Sequence, residues 1–250
     1  MYKRQKENLS EITKYIQIAR ENHKKGNIYQ ANEIYKKLIN QKIYTYELLI
    51  SYGLFCKEIN NLKIAKNLFI LSIKKYPSKI NSYLLLAEIL RKENKVNDAL
   101  KTLYAAKKIE KSNPDIDYNL SISYKTIKSF REAILSIDSA IKLQPKNPIY
   151  QILKADILVE LFKNEEAKKL LVNLKLPNDS LLYFQKEILI SKIFINQKKY
   201  KLAEGVLLGL KKLFCKERIL YLNLSDLYFK NRELELSLIH ISEPTRLGML

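Results

Sequence analysis

Large apolar residues recur along the chain in groups spaced three and four apart, with Lys, Asn and Glu between them. That spacing places the apolar side chains on one face of an α-helix and predicts amphipathic helices from end to end. A longer beat lies over it. Ala31, Ala65, Ala99, Ala133, Ala167 and Ala203 stand 34, 34, 34, 34 and 36 residues apart. Twelve residues before each stands another small residue: Ala19, Gly53, Ala87, Ser121, Ala155 and Ser191, with Ser225 continuing the series. Four residues after each alanine come Tyr35, Phe69, Leu103, Ile137, Leu171 and Leu207. Three before it come Ile28, Leu62, Val96, Phe130, Asn164, Tyr200 and Leu234. Three after the first small residue come Asn22, Cys56, Leu90, Tyr124, Leu158, Phe194 and Tyr228. Pro77, Pro114 and Pro145 fall between units, where a helix must stop.

Each unit is therefore expected to be two antiparallel helices joined by a tight turn, with a small residue on each helix where the two cross. One such hairpin cannot cover its own apolar face, so hairpins stack. The fold class is all-α, a right-handed α-solenoid of antiparallel helix pairs. Only 5 Gly and 6 Pro in 250 residues agree with long helices and short turns, and argue against a sandwich or barrel.

The columns carry a resemblance. A small residue, Ala twelve on, a large residue four after that and Pro near the end of a 34-residue unit resemble the tetratricopeptide repeat. YGLFCKEINNLKIAKNLFILSIKKYP and YNLSISYKTIKSFREAILSIDSAIKLQP show it best. The resemblance covers residues 12–235, six full units and part of a seventh, behind a leader at 1–11. It weakens at Lys154 and Asn164, where apolar residues are usual, and at the 36-residue step. The pentatricopeptide repeat, an RNA reader, is less similar: its unit runs to 35 residues and ends in Gly-x-x-Pro-Asp, which is absent here.

From Leu236 the Lys, Asn and Tyr vanish. LSLIHISEPTR, residues 236–246, resembles a translated sequencing-library adapter, so 236–250 is expected to be a non-native tail on a reading frame truncated in mid-repeat.

The formal charge is +19, which raises the question of nucleic acid. However, 38 of the 45 basic residues are Lys and only 7 are Arg, the residue suited to bidentate phosphate contacts. With abundant Ile, Asn and Tyr this composition points to an AT-rich, bacterial gene, and nucleic acid is the less favoured partner. Cys56 and Cys215 lie too far apart for a disulfide framework or metal-ligand spacing, which favours a reducing compartment. MYKRQKENLS has no apolar stretch behind its charges, and YLLLAEIL is far short of a membrane span. A cytoplasmic protein away from membranes is expected.

Outside the tail the one histidine is His23. No His/Cys/Asp cluster has metal spacing, and no glycine-rich loop could hold a phosphate. Gly205 and Gly209, in GVLLG, are expected to permit close helix packing, and Cys56 to be an inert core thiol. No catalytic residue, metal or cofactor is predicted.

Binding is better supported. The resemblance implies that the first helices of successive units line a concave groove. Four residues after the first small residue, a column expected to face it, stand His23, Lys57, Arg91, Lys125, then Val159, Ile195 and Phe229. Lys24 and Lys92 thicken its basic part. Such a groove suits a peptide or protein with an acidic segment and an apolar anchor, although Glu58, Glu88, Asp156 and Asp226 dilute its field. The tetratricopeptide domains that clamp chaperone carboxylates use Lys, Asn, Asn, Lys and Arg where Ile16, Arg20, Ser51, Asn81 and Leu85 stand here, so that specialisation is not implied. The expected function is a non-enzymatic scaffold. The alternatives are the recognition arm of a larger enzyme, such as a transferase, and an RNA-binding repeat protein.

Overall fold

The computed structural model describes residues 2–231, with side chains from residue 10 onward. All regular structure among them is α-helical. The chain divides into two compact units, residues 1–127 and 128–250.

The first unit contains α1 (Tyr2–Lys24), α2 (Ile28–Asn40), α3 (Tyr46–Glu58), α4 (Leu62–Lys75), α5 (Ile80–Lys92), α6 (Val96–Ile109) and α7 (Pro114–Thr126). They pair as α1 with α2, α3 with α4 and α5 with α6, while α1 lies beside α3 and α5 beside α7. The second unit contains α8 (Phe130–Leu143), α9 (Pro148–Glu160), α10 (Asn164–Val172), α11 (Leu181–Asn196), α12 (Tyr200–Leu213) and α13 (Arg218–Lys230). Here α9 pairs with α10 and α11 with α12, and α11 touches both α9 and α13.

The small residues of both columns are buried. Ala19, Ala31, Ala65, Ala87, Ala99, Ala133, Ala155, Ala167 and Ala203 have no exposed surface, nor do Ser121 and Ser191. Gly53 gives a close approach. A methyl group there would lie 2.3 Å from Cε1 and 2.8 Å from Cζ of the fully buried Phe69, so α3 meets the ring of α4 with no atom to spare. Tyr35, Leu103, Ile137, Leu171 and Leu207, the counterparts of Phe69, are likewise buried.

The turns within the pairs share one device. Gly26, Asn60, Asn94, Phe162 and Lys198 have φ between 58° and 80°, as does Lys128 at the start of the second unit. After α1, α3, α5, α9 and α11 the turn follows a Schellman pattern: the amide of the next residue bonds a carbonyl five back, as Asn61 N does to Cys56 O at 2.7 Å and Lys95 N to Leu90 O at 2.8 Å. Only one of the six is glycine, so five residues bear the strain of a left-handed backbone.

Between units, Asn113 and Asn147 cap α7 and α9, with Pro114 and Pro148 as their first residues. Pro114 therefore opens a helix, the position where a missing N–H costs nothing. The 36-residue step arises because α10 is short and the connection from Asn173 to Ser180 is long. Lys154 is accommodated by Asp138, 2.7 Å away.

Gly205 and Gly209 depart from expectation. A methyl group on either would meet nothing within 4 Å, so they face outward on α12 and permit no close packing among the described residues. Leu234 and the tail at 236–250 lie outside the described residues.

Candidate binding face

The first helices of the first unit present a row of polar side chains that reach from one hairpin to the next. Arg20 of α1 donates to Ser51 Oγ of α3 at 2.7 Å and lies 3.1 Å from a Glu47 carboxylate oxygen. His23 Nε2 is 3.2 Å from Glu58 Oε2, and its ring meets Phe55 edge-on with centroids 5.0 Å apart. Lys57 of α3 donates to Glu88 of α5 at 2.8 Å, and Lys92 approaches the other oxygen of the same carboxylate at 3.3 Å. Arg91 of α5 donates to Asn119 Oδ1 of α7 at 2.9 Å and to Ser123 Oγ at 3.2 Å.

These contacts change the character of the predicted stripe. Lys57, Arg91 and Lys92 are not an open row of cations; each is held by a partner in its own or the next helix. Burial opposes ionisation of Glu88, but Lys57 and Lys92 outweigh it and hold the carboxyl below its ordinary pKa. Burial also lowers the pKa of Arg91, with Glu88 acting against the shift. Lys24 is exposed and Lys125 half-buried on the same helices. The fork of Arg91 ties α5 to α7, which makes it a strut as much as a contact surface.

In the second unit the predicted apolar half is mostly closed. Val159 and Ile195 are each only 5% exposed, so neither lines an open surface. Val159 joins a buried cluster with Leu189 and Ile193 of α11, and Ile195 one with Leu227 and Tyr228 of α13. The reason is that an aliphatic side chain in this column is covered by the following first helix, which removes its surface from water. Phe229, on α13, is 66% exposed. The polar struts continue alongside, with Asn196 Nδ2 donating to Asn164 Oδ1 at 3.2 Å and Gln197 to Glu165 at 2.9 Å.

Of the strut partners, Asn119 and Ser123 were not singled out from the sequence, and Ser51 and Asn164 only as departures from the usual pattern. Their signal is an offset: Arg20 to Ser51 and Lys57 to Glu88 are each 31 residues apart, and Arg91 to Ser123 is 32. Among the described residues no three His, Cys, Asp or Glu side chains converge as a metal site, and no helix is long and apolar enough to cross a membrane. Cys56 is buried and its thiol is pushed up to about 11 by burial, with Tyr52 opposing.

Solved structures share this arrangement. A tetratricopeptide repeat protein from Parabacteroides merdae superposes with a TM-score of 0.62 at 18% identity, over 79% of this chain and 78% of that one. PilF of Pseudomonas aeruginosa gives 0.62 at 15% identity, over 82% of this chain and 93% of that one. A thermophilic tetratricopeptide-repeat protein of Thermus thermophilus gives 0.60 at 14% identity, over 72% and 98%.

The fold is that of the tetratricopeptide repeat.

No protein-family profile matches the sequence, and no curated protein matches it. At these identities the tetratricopeptide likeness resides in how the hairpins pack. The notch residues and the large side chains that fill them supply that packing in this chain.

Proposed function

We propose that this tetratricopeptide array is a non-enzymatic scaffold whose first-helix face binds a peptide or protein with an acidic segment. The observation that carries the reading is the row of struts. Arg20, Lys57 and Arg91 are fixed by bonds of 2.7–2.9 Å to the neighbouring hairpin, so the surface beside them is ordered before a ligand arrives. Pre-ordering lowers the entropy lost on association. The polar character of the face, with Lys24 at its rim, favours carboxylates over an apolar ligand in the first unit. In the second unit, Phe229 is the apolar residue of the predicted column left open to an anchor.

The test is selection of peptides from a random display library, followed by calorimetric titration of the enriched sequences. Enrichment of Asp and Glu is expected, with affinity falling tenfold or more in Lys24→Glu/Lys92→Glu and thermal unfolding little changed. Peptides without acidic bias, or equal affinity for the variant, would refute the reading. Affinity should also fall only modestly with salt; a steep fall would favour a nucleic-acid ligand.

A further inference from the structure

Several lysines of the first unit pair with carboxylates, Lys57 with Glu88, Lys66 with Glu93 and Lys107 with Asp117. Among those that do not, three stand beside tyrosines. Lys42, Lys75 and Lys79, around the connections that lead into α3 and α5, have no carboxylate partner among the described residues. Tyrosines gather there instead. Lys75 Nζ lies 5.1 Å from the centre of the Tyr44 ring and Lys79 Nζ 5.6 Å from that of Tyr46. Tyr46 and Tyr76 meet edge to face at 5.8 Å, and the Tyr76 hydroxyl donates to the Tyr44 carbonyl at 2.9 Å. Lys42, Tyr44, Thr45, Lys75 and Tyr76 line a surface pocket of about 410 Å³.

We propose that this pocket binds single-stranded nucleic acid, with a base against Tyr44 and adjacent phosphates on Lys42, Lys75 and Lys79. The chemistry selects the class. The pocket offers two lysine charges, with Lys79 nearby over the Tyr46 ring, and aromatic faces with no lining carboxylate, which matches a ligand that alternates flat π-systems with single negative charges. Lysine lacks the bidentate fork of arginine but meets a phosphodiester oxygen as a point charge, whereas a carboxylate peptide gains little from the rings. Tyr44 is already ordered: its carbonyl is held by Tyr76 and one ring face is occupied by the Lys75 ammonium. A base stacking there displaces an exposed cation–π contact, the weaker interaction, and frees Lys75 for phosphate. The proposal is independent of peptide binding on the first-helix face.

Fluorescence anisotropy with a labelled oligothymidylate of about eight nucleotides tests it. Three charges predict a log–log slope against salt of about −2. Tyr44→Ala should weaken binding about tenfold, since stacking on one base is lost. Tyr44→Phe, which keeps the ring, should change it less than about twofold. Lys42→Glu/Lys75→Glu should abolish binding, whereas Lys25→Glu/Lys63→Glu, an equal charge change elsewhere, should leave it within about twofold. Circular dichroism checks that each variant is folded. No binding by the wild type, an equal loss in both double variants, or an equal loss in Tyr44→Phe and Tyr44→Ala would overturn the proposal. So would displacement of the oligonucleotide by an equimolar phosphotyrosine peptide, which would assign the pocket to phosphopeptides.

Discussion

Replacing Gly53 with alanine should destabilise the protein, although the substitution is ordinarily favourable inside a helix. Alanine gains about 1 kcal/mol over glycine in a helix interior. Here the new methyl would stand 2.3 Å from one ring carbon of Phe69 and 2.8 Å from another. Carbon atoms rest at about 3.5–4.0 Å, so the ring or the helix must retreat by more than about 1 Å. Phe69 has no exposed surface, and its ring has no free end to swing aside. Overpacking of this kind costs about 1–3 kcal/mol, and the overlap places this case at the upper end. The net expectation is a loss of about 1–2 kcal/mol. Urea unfolding of the full chain should show a lower midpoint with an unchanged slope. Phe69→Leu should restore much of the loss in the double variant, because Ala87 and Leu103 occupy the same positions one hairpin on and both are fully buried. A Gly53→Ala midpoint equal to or above wild type would refute the notch argument.

Arg91→Met keeps the aliphatic stem but removes the fork that holds Asn119 and Ser123. It should cost about 1.5–3 kcal/mol by thermal unfolding, with no recovery in Arg91→Lys, which cannot reproduce the paired geometry. Phe162 has φ 58° and is largely exposed, so Phe162→Gly should raise stability by about 0.5–1 kcal/mol; a lower Tm would show that its backbone is not strained. The Cys56 thiol is raised from 9.0 to about 11, so the unfolded chain ionises first as pH rises. The folded state then retains the proton longer, and stability should fall between pH 9 and 11 by at most about 1.4 kcal/mol per pH unit, a decline that Cys56→Ala should lessen. At pH 8 an aromatic disulfide reagent should therefore titrate the exposed Cys215 at once and Cys56 only on unfolding.

The hairpins were legible because their packing demands residue identity at fixed spacing. Ala65, Ala99 and Ala133 must be small wherever helices cross, so the requirement repeats in the sequence itself. The turns were less legible. A left-handed residue stands at 26, 60, 94, 128, 162 and 198, but only Gly26, Asn60 and Asn94 advertise it; Lys128, Phe162 and Lys198 are residue types that rarely adopt that backbone. The face was legible in residue type and not in state. His23, Lys57 and Arg91 are the ionisable groups that the column predicts, yet their partners come from the next hairpin, and composition alone does not report who is paired. Val159 and Ile195 were misjudged for the same reason, since what covers them lies some 30 residues further on. The Tyr44 cluster escaped because it is assembled from two connections, each unremarkable by itself.

The struts span close to one repeat length, Arg20 to Ser51 and Lys57 to Glu88 alike. The positions one repeat before Glu88 and Ser123 are Leu54 and Ile89, so each junction carries its own bonded pair and a copied hairpin would meet its twin without one. The surplus of two residues between Ala167 and Ala203 is absorbed by the long connection at 173–180, and the bond between Asn164 and Asn196 persists beside it. An array fastened in this way fixes the order of its hairpins, because each one fits the neighbour it has and not a copy of itself.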